Sequence, residues 1–270
     1  GEYLTDRLTD EAVNFIHENR QKPFFLYFSH YAVHTPLQAK KAMIRKYEAI
    51  PKAKRQGNVT YAAMVESVDE SVGRVMKKLD ELNLSGKTLV IFTSDNGGFA
   101  GATNHAPLRG NKGSYYEGGI RVPLVIRWPG VAKAGHVSHA PVISMDLYPT
   151  CLTAAGLPPH PAQHRDGFDL QPLLEGTETL DRDSLHWHYP HYNGHPHAVP
   201  SSVLRKSDWK LIETFDPESV QLYHLGKDLS ETTNLAKSEP AKLAELRKKL
   251  EAWRREVDAE MMEPNPDYQP

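Results

Sequence analysis

One short segment constrains the fold of this chain more than any other: the run Thr88–Phe92, which leads directly into Thr93–Gly98. The run is rich in β-branched and apolar residues, and this composition favours a buried strand. The second segment ends in an acid, an amide and two glycines, which together are typical of a turn at the carboxyl edge of an open α/β sheet. The two segments therefore predict an α/β fold that brings oxygen ligands to a sheet edge.

Helical and strand patterns alternate along the first two thirds of the chain. Apolar spacing predicts a helix at Leu8–Asn19, with Thr9 as its N-cap, and a long amphipathic helix from Tyr61 to Leu82. Between them, Phe24–Ser29 is predicted to be a nearly continuous buried strand. Helix and strand in alternation are typical of a mostly parallel sheet with flanking helices. The pattern continues with a strand at Pro123–Ile126 and a helix within Val142–Ala155.

The pattern changes from about Glu175 onward. Short β-rich runs separated by turn residues predict an antiparallel meander. The runs are Ser184–Tyr189, Ser201–Lys206, Trp209–Phe215 and Val220–Leu225. A closing helix is predicted from Glu239 to roughly Ala259, with an irregular tail after it. We therefore expect a larger α/β domain at 1–174 and a smaller subdomain at 175–270, which holds an antiparallel sheet with a helix.

Bulk composition argues against several classes of partner. A formal net charge of −2 over 270 residues gives no electrostatic reason to expect nucleic acid or an anionic membrane surface. No apolar stretch approaches the roughly 20 residues that are needed to span a bilayer. The single cysteine, Cys151, excludes an internal disulfide and is expected to be a small core residue.

Asp95 and Asn96 are the first candidate ligands. Adjacent strand residues point to opposite faces, so both side chains reach one ion only where the strand has ended, and Gly97–Gly98 permits that turn. One charged and one neutral oxygen suit a hard cation such as Ca²⁺ or Mg²⁺. The alternative is an ordinary Asn-Gly turn with an aspartate cap, and the dipeptide alone does not decide between them.

Lys112 is the candidate anion-binding residue. It lies in a glycine-punctuated loop, Pro107–Pro123, where its compact charge and the surrounding backbone N–H groups suit an anion such as sulfate. The alternative is a loop lysine that is simply solvated. Asn104 and His105 directly precede this loop, and they could contact the leaving group of a substrate.

His34 is the candidate general acid. It follows the predicted strand at Phe24–Ser29, and a histidine at such a strand end could protonate a departing alcohol oxygen. The alternative is a histidine that caps the Thr35–Pro36 turn. His30, at the start of the same exit loop, is expected to be structural.

A histidine-rich run, His186–Tyr192 together with His195 and His197, invites a metal interpretation. His186 and His188 alternate along a predicted strand, however, and no cysteine or acid completes a zinc set at a familiar spacing. A strand followed by a surface loop is the favoured interpretation. A substrate-recognition rim and a metal site are the alternatives.

Three segments resemble the formylglycine-dependent sulfatases of the alkaline phosphatase superfamily: Phe24–Pro36, Phe92–Gly98 and Pro107–Pro123. The resemblance covers nearly the whole chain and implies a partial, alkaline-phosphatase-like α/β sheet. It also implies residue roles. Asp95 and Asn96 would supply two ligands of a Ca²⁺ ion.

The same resemblance makes Lys112 the sulfate-binding residue and His34 the general acid that contacts the ester oxygen. Asn104 and His105 would bind the leaving group. Further residues match motif positions and are interpreted as braces of the loop: Arg109, Glu117 and Arg121. The catalytic pair implied by the resemblance is therefore one lysine and one histidine.

Two parts of the family pattern are missing from this sequence. The family's nucleophile is a formylglycine made from Cys or Ser in a Cys/Ser-x-Pro-x-Arg sequence, and the chain contains no such sequence. The Asp-Asp pair that completes the family's metal site is also missing. The chain thus resembles the later part of a sulfatase, with the formylglycine and the other calcium ligands expected upstream. From this chain alone we expect no measurable turnover and poor solubility.

The sequence therefore predicts a portion of a sulfuric ester hydrolase that cleaves a sulfate ester of an aryl or carbohydrate substrate with bound calcium. The expected partners are a sulfated small molecule or glycan and the missing N-terminal segment. The resemblance further implies an exported protein, in the periplasm, outside the cell or in a lysosome. Two alternatives stay open: a phosphodiester or phosphonate hydrolase of the same superfamily, and a non-catalytic module that binds sulfated glycans.

Overall fold

The computed structural model describes residues 2–55, 57–177, 179–195, 198–263 and 265–267. These residues fold as two compact units. The first unit comprises the chain up to Thr93, with Gly101–Thr103 and Leu124–Leu180. The second unit comprises Ser94–Ala100, Asn104–Pro123 and the residues from Asp181 onward. The domain boundary at 174/175 stays a prediction, while the glycine-rich loop at Pro107–Pro123 groups with the C-terminal residues.

Helices and strands are distributed over both units. Among the described residues, the α-helices are α1 (Leu4–Glu18), α2 (Lys41–Glu48), α3 (Val59–Glu81), α4 (Glu117–Ile120), α5 (Leu147–Ala154), α6 (Gln171–Glu175) and α7 (Pro240–Glu256). The strands are β1 (Val90–Thr93), β2 (Leu124–Arg127), β3 (Leu185–Tyr189), β4 (Ser201–Lys206), β5 (Trp209–Phe215) and β6 (Glu218–His224). Within these described ranges, no helix is long and apolar enough to cross a membrane.

Helix α1 begins at Leu4 rather than Leu8, so Thr9 lies inside the helix and its prediction as the N-cap was wrong. The buried hydroxyl of Thr9 donates a hydrogen bond to the carbonyl oxygen of Thr5 at 2.6 Å and lies 2.6 Å from Ser71 Oγ. A threonine can satisfy its hydroxyl on the preceding helical turn. For that reason a threonine in the sequence does not by itself mark a helix start.

The core of the first unit forms where α1 meets α3. Ile16, Leu79 and Leu84 are buried together, and each such side chain stabilises the fold by about 1.5–3 kcal/mol relative to exposure. The rings of Phe15 and Phe24 pack edge to face beside this cluster, with centroids 5.8 Å apart. Ile16 and Leu79, which apolar spacing places on the inner faces of the two predicted helices, therefore lie in the core, whereas Val65, which the same spacing places on the apolar face of the long helix, is 46% exposed.

The predicted strand at Phe24–Ser29 is only partly correct. The segment pairs with no strand in the part of the chain that the structure describes. Phe24 and Leu26 pack against the core of the first unit, whereas Phe25 and Tyr27 are 74% and 81% exposed. A strand is buried on both faces only when neighbours pair with it and cover it, and the sequence pattern does not show whether they are present.

Strand pairing in the first unit also differs from the prediction. The sequence predicts a mostly parallel sheet, but β1 and β2 pair antiparallel, with Thr93 opposite Leu124. The chain leaves β1 at Thr93 and re-enters the sheet beside the same end, and such a return produces an antiparallel pair. Every strand pair described is antiparallel. The α/β class itself is confirmed.

The antiparallel meander predicted for the C-terminal part is confirmed. Strands β3, β4, β5 and β6 pair in that order, each antiparallel to the next. One face of this sheet packs on α7 through a buried cluster: Leu204, Leu211, Leu222, Leu246 and Leu250. Since successive side chains alternate across a strand, the neighbouring residues Val203, Ile212 and Tyr223 face the opposite side.

That opposite face carries the glycine-rich loop. Tyr115 and Tyr116 of the loop pack on the cluster of Val203, Ile212 and Tyr223. Tyr116 also donates a hydrogen bond to Gln221 Oε1 at 2.8 Å. The second unit is thus a sheet with a helix on one side and the loop of candidate site residues on the other.

Candidate functional site

The candidate site residues of the second unit share one hydrogen-bonded loop, which leaves β1 at Ser94 and reaches β2 after Pro123. Two backbone hydrogen bonds close it. Gly97 N–H donates to Gly119 O at 2.8 Å, and Lys112 N–H donates to Gly98 O at 3.0 Å. The turn after β1, the segment around Lys112 and helix α4 are therefore held together.

Two glycines of this loop are required by close backbone contact. A Cβ on Gly97 would overlap the Gly118 carbonyl oxygen and lie 2.9 Å from Gly119 Cα. A Cβ on Gly119 would overlap the Ser114 carbonyl oxygen. No side chain fits at either position unless the backbone separates. The glycines explain how the turn and α4 can lie in direct contact.

Asp95 and Asn96 are available as ligands. Asp95 is exposed and Asn96 half-buried, and for the Asp95 carboxylate no hydrogen bond or ion pair occurs within the described ranges. Ser94 Oγ donates to Asn96 O at 3.0 Å, which supports the turn. Two oxygen donors fit a hard cation, but Ca²⁺ takes about six to eight oxygens. The described residues contain no cluster of three or more His, Cys, Asp or Glu side chains that could hold a metal.

Lys112 is half-buried, and its backbone is fixed by the hydrogen bond to Gly98. Its ammonium group makes no ion pair with any carboxylate of the described chain. The positive charge is therefore available to an external anion. A compact ammonium group of this kind binds oxyanions as a point charge.

Asn104 and His105 brace the loop in addition to any contact with a substrate. His105 Nε2 accepts a hydrogen bond from Gly98 N–H at 2.8 Å, so the neutral imidazole carries its proton on Nδ1. Asn104 Oδ1 accepts from Ala106 N–H at 3.3 Å. Only Nδ1 of His105 is left for a ligand. A contact between these residues and a substrate stays a prediction.

An ion-pair triad lies beneath the loop, and the sequence analysis did not find it. The ammonium of Lys210, on β5, donates to Glu117 Oε1 at 2.9 Å and lies 2.9 Å from Glu231 Oε1. The contact with Glu231 is an ion pair without hydrogen-bond geometry. Lys210 and Glu231 are completely buried, and Glu117 is 1% exposed.

The triad fixes the start of α4. Glu117 N–H donates to Glu231 Oε2 at 2.7 Å. Glu231 therefore accepts a hydrogen bond from the backbone of Glu117 and also forms an ion pair with Lys210. Burial would raise the pKa of Glu117, but the charge and hydrogen bond of Lys210 outweigh it and keep that pKa below its usual value. Burial raises the pKa of Glu231, and Lys210 offsets this only in part.

Arg109 adds a second brace. Its Nη1 donates to Tyr223 Oη at 3.0 Å and to Glu231 O at 2.8 Å, and its guanidinium lies 4.0 Å from the centroid of the Tyr116 ring. The sequence-based interpretation of Arg109 and Glu117 as bracing residues agrees with these contacts. Arg121 contributes less, since its Nη1 lies 3.5 Å from Glu117 Oε2 and its side chain is half exposed.

His34 belongs to the first unit and is exposed. Its Nδ1 lies 2.8 Å from Thr35 O, so Nδ1 donates and Nε2 is the nitrogen left for other chemistry. This contact is the turn-capping role that the sequence left open, and the role of general acid stays a prediction. His30 is half-buried, its Nε2 lies 3.2 Å from Ser71 Oγ, and burial lowers its pKa.

Two members of the histidine-rich run are structural. His186 stacks on Trp253 with ring centroids 4.6 Å apart, and the ring nitrogens of His188 lie 2.7 Å from Ser202 Oγ and 2.6 Å from Glu260 O. These contacts support the interpretation as a strand. His197 lies outside the described residues.

Two oxygen donors, an available lysine and a glycine-rich loop on an α/β scaffold are the parts expected of a protein that binds an oxyanion beside a hard cation. Comparison with known proteins narrows that class. The family model described as Sulfatase matches residues 1–157, and the model described as N-sulphoglucosamine sulphohydrolase, C-terminal, matches residues 111–257. The chain belongs to the sulfatase family, as its motifs predicted.

Individual relatives agree with this family. A sulfatase of Formosa agariphila is 38% identical over an alignment of 277 residues, gaps included, that covers 93% of this chain and 50% of that protein. Human steryl-sulfatase is 38% identical over an alignment of 195 residues that covers 69% of this chain and 32% of that protein. The crystal structure of Ps i-CgsB in complex with k-i-k-neocarrahexaose has a TM-score of 0.80 at 36% identity and covers 93% of this chain and 55% of that chain. The chain spans about half the length, or less, of these relatives.

Proposed function

We propose that this chain is part of a sulfuric ester hydrolase and binds the sulfate group of its substrate on the loop that carries Lys112. One observation carries the proposal: the ammonium of Lys112 has no ion-pair partner among the described residues, and its backbone is hydrogen-bonded into the loop that presents Asp95 and Asn96. Membership of the sulfatase family supports the reaction class.

Each proposed role follows from the chemistry of a side chain. Lys112 binds sulfate oxygens and stabilises the negative charge that develops on them. His34 gives a proton to the departing alcohol oxygen through its exposed imidazole. Asn104 and His105 bind the leaving group, and His105 does so through Nδ1 because Nε2 is engaged with Gly98.

Asp95 and Asn96 are proposed as two ligands of a calcium ion, since a carboxylate and an amide oxygen are the donors that this ion prefers. When bound, the ion neutralises charge on sulfate oxygens. Formylglycine, which supplies the attacking oxygen in this family, has no counterpart here. Cys151 does not fit, because it lies half-buried on α5 outside any Cys/Ser-x-Pro-x-Arg sequence, and burial raises the pKa of its thiol.

Replacing Lys112 by methionine should weaken the binding of inorganic sulfate by about tenfold or more, since a charge-assisted hydrogen bond contributes about 1.5–3 kcal/mol. Isothermal titration of the 270-residue chain measures this effect. Lys227→Met is the matched control, because Lys227 is an exposed lysine of the same unit outside the loop. Equal sulfate affinity in the wild type and in Lys112→Met would refute the proposed anion site.

The nucleophile is tested on protein purified from its natural source. Intact mass and peptide mapping should find a longer chain that carries a Cys/Ser-x-Pro-x-Arg peptide converted to formylglycine. A natural chain without that peptide would contradict a hydrolase and favour the non-catalytic glycan-binding module. A requirement for zinc or manganese with a preference for phosphoesters would instead identify the phosphodiester or phosphonate hydrolase.

The substrate class that we propose is a sulfated saccharide. The relative Ps i-CgsB, which is 36% identical, has been crystallised with k-i-k-neocarrahexaose, a carbohydrate. The same proposal includes an exported location and an upstream segment that supplies the remaining calcium ligands. Steryl and aryl sulfates are the competing substrates.

A further inference from the structure

His195 lies against the loop that carries Lys112, although it belongs to the connection between β3 and β4. The residue after Lys112 is Gly113, with φ +90°. A Cβ built on Gly113 would lie 2.6 Å from His195 Cβ and 2.9 Å from His195 Cγ and Cδ2. The imidazole therefore packs directly on the backbone beside Lys112.

The position of His195 is fixed by its own segment. His195 N–H donates to Asn193 Oδ1 at 3.0 Å, and Ala198 N–H donates to His195 O at 3.1 Å. Tyr192 Oη donates a hydrogen bond to the Asp216 carboxylate at the turn between β5 and β6. The segment is thus anchored to the sheet on one side of His195 and hydrogen-bonded to itself on the other.

The loop itself is held on the sheet by Tyr115. Its ring packs on Val203, Ile212 and Tyr223, and burial raises the pKa of its hydroxyl group to about 12. The loop backbone that His195 contacts is therefore fixed on the sheet.

His195 differs from the other described histidines of the run. The rings of His186 and His188 are occupied by Trp253 and by hydrogen bonds, as described above. His191 is exposed and packs its ring edge on Tyr189, with centroids 5.1 Å apart. The half-buried imidazole of His195 makes no hydrogen bond through its ring nitrogens within the described chain. Among the described histidines of the run, it is the one that offers a donor and an acceptor beside the loop that carries Lys112.

We propose that His195 is a specificity-determining residue that hydrogen-bonds a hydroxyl group of the sugar whose sulfate is held by Lys112. This inference rests on the function proposed above. It names the substrate group that the second unit recognises. A site built to hydrogen-bond a substrate hydroxyl discriminates against analogues that lack it, because its polar group is then left unpaired. Aryl and steryl skeletons offer no such hydroxyl next to their sulfate.

The test uses the 270-residue chain and three probes: inorganic sulfate, 4-nitrophenyl sulfate and k-i-k-neocarrahexaose. In His195→Ala, the affinity for the saccharide should fall about tenfold, while the affinities for the other probes change by less than about twofold. His195→Gln should recover part of the loss, because an amide can donate and accept. His191→Ala, from the same segment, should bind all three probes like the wild type. If His195→Ala fails to fold, the comparison of His195→Gln with His195→Leu replaces it.

Each other outcome has a definite meaning. An unchanged saccharide affinity in His195→Ala, or an equal loss for all three probes, would overturn the role of His195 and leave the proposed sulfate site intact. A wild-type chain that binds sulfate but not the saccharide would overturn the sugar assignment. A wild-type chain that binds none of the probes would refute the proposed function itself.

Discussion

Replacing Lys210 by methionine will lower the free energy of unfolding by about 3–5 kcal/mol, the cost of removing one partner from a buried ion pair. Two carboxylates, Glu117 and Glu231, would remain buried without the ammonium that now lies 2.9 Å from each. Methionine has a similar length, so the loss reports charge rather than volume. Urea denaturation of the 270-residue chain, followed by tryptophan fluorescence, measures the change. A loss below about 1 kcal/mol, typical of an exposed pair, would contradict the buried triad.

The two carboxylates provide a matched comparison within the same triad. The pKa of Glu117 is lowered in the fold, so its charged form contributes stability above the unfolded pKa and loses it as the pH falls through the folded pKa. The pKa of Glu231 is raised, so its stabilising contribution is present at low pH and lost as the pH rises. At neutral pH, Glu117→Gln should therefore destabilise the chain more than Glu231→Gln does. The reverse order would show that the directions of the two pKa shifts are wrong.

Replacing Gly97 by alanine should cost about 3 kcal/mol, the upper range for overpacking, and should abolish sulfate binding. The new methyl group would overlap the Gly118 carbonyl oxygen and lie 2.8 Å from the Gly118 carbonyl carbon, and these backbone atoms cannot rotate away as a side chain can. Separation of the two segments would break the hydrogen bond from Gly97 N–H to Gly119 O and displace Asp95 and Asn96. Thermal melting and sulfate titration measure both effects.

Gly73→Ala is the control for Gly97→Ala. Gly73 lies within α3, and a Cβ at this position would meet nothing within 4 Å. Alanine in a helix interior is favoured over glycine by about 0.5–1 kcal/mol, so this variant should melt at a slightly higher temperature. If Gly97→Ala melted like the wild type and still bound sulfate, the close contact between the turn and α4 would not exist in solution.

Local sequence patterns correctly predicted the helices and strands whose formation depends mainly on their own residues. The alternation in β4 and β5 and the apolar face of α7 gave the meander and its closing helix, because the sheet and helix bury each other. The same reasoning failed for Phe24–Ser29, because the burial of Phe25 and Tyr27 depends on neighbouring strands rather than on the segment. The prediction of Thr9 as an N-cap failed because a threonine hydroxyl can donate a hydrogen bond to a carbonyl oxygen inside its own helix, and does not only cap a helix start.

The candidate site also contains residues that the sequence predicted and residues that it did not. Sequence motifs placed Asp95, Asn96 and Lys112 on loops, and the hydrogen bonds of Gly97 and Gly98 join those loops into one structure. No local pattern could pair Lys210 with Glu117, since that contact depends on how the loop lies on the sheet. The sequence did offer one indication of this ion pair: Lys210 lies between Trp209 and Leu211 in a β-rich run. A charge at an inward strand position requires a partner, which a distant glutamate supplies.

The most direct measurement is a crystal structure of the chain soaked with calcium and sulfate. We expect a calcium ion within about 2.3–2.6 Å of oxygens of Asp95 and Asn96, and a sulfate within hydrogen-bond distance of Lys112 Nζ. The same soak of an Asp95→Asn crystal should show the calcium lost or weakened. A well-ordered wild-type crystal that binds sulfate and calcium elsewhere, and leaves this loop without either, would contradict the assignment of the loop as a sulfatase site.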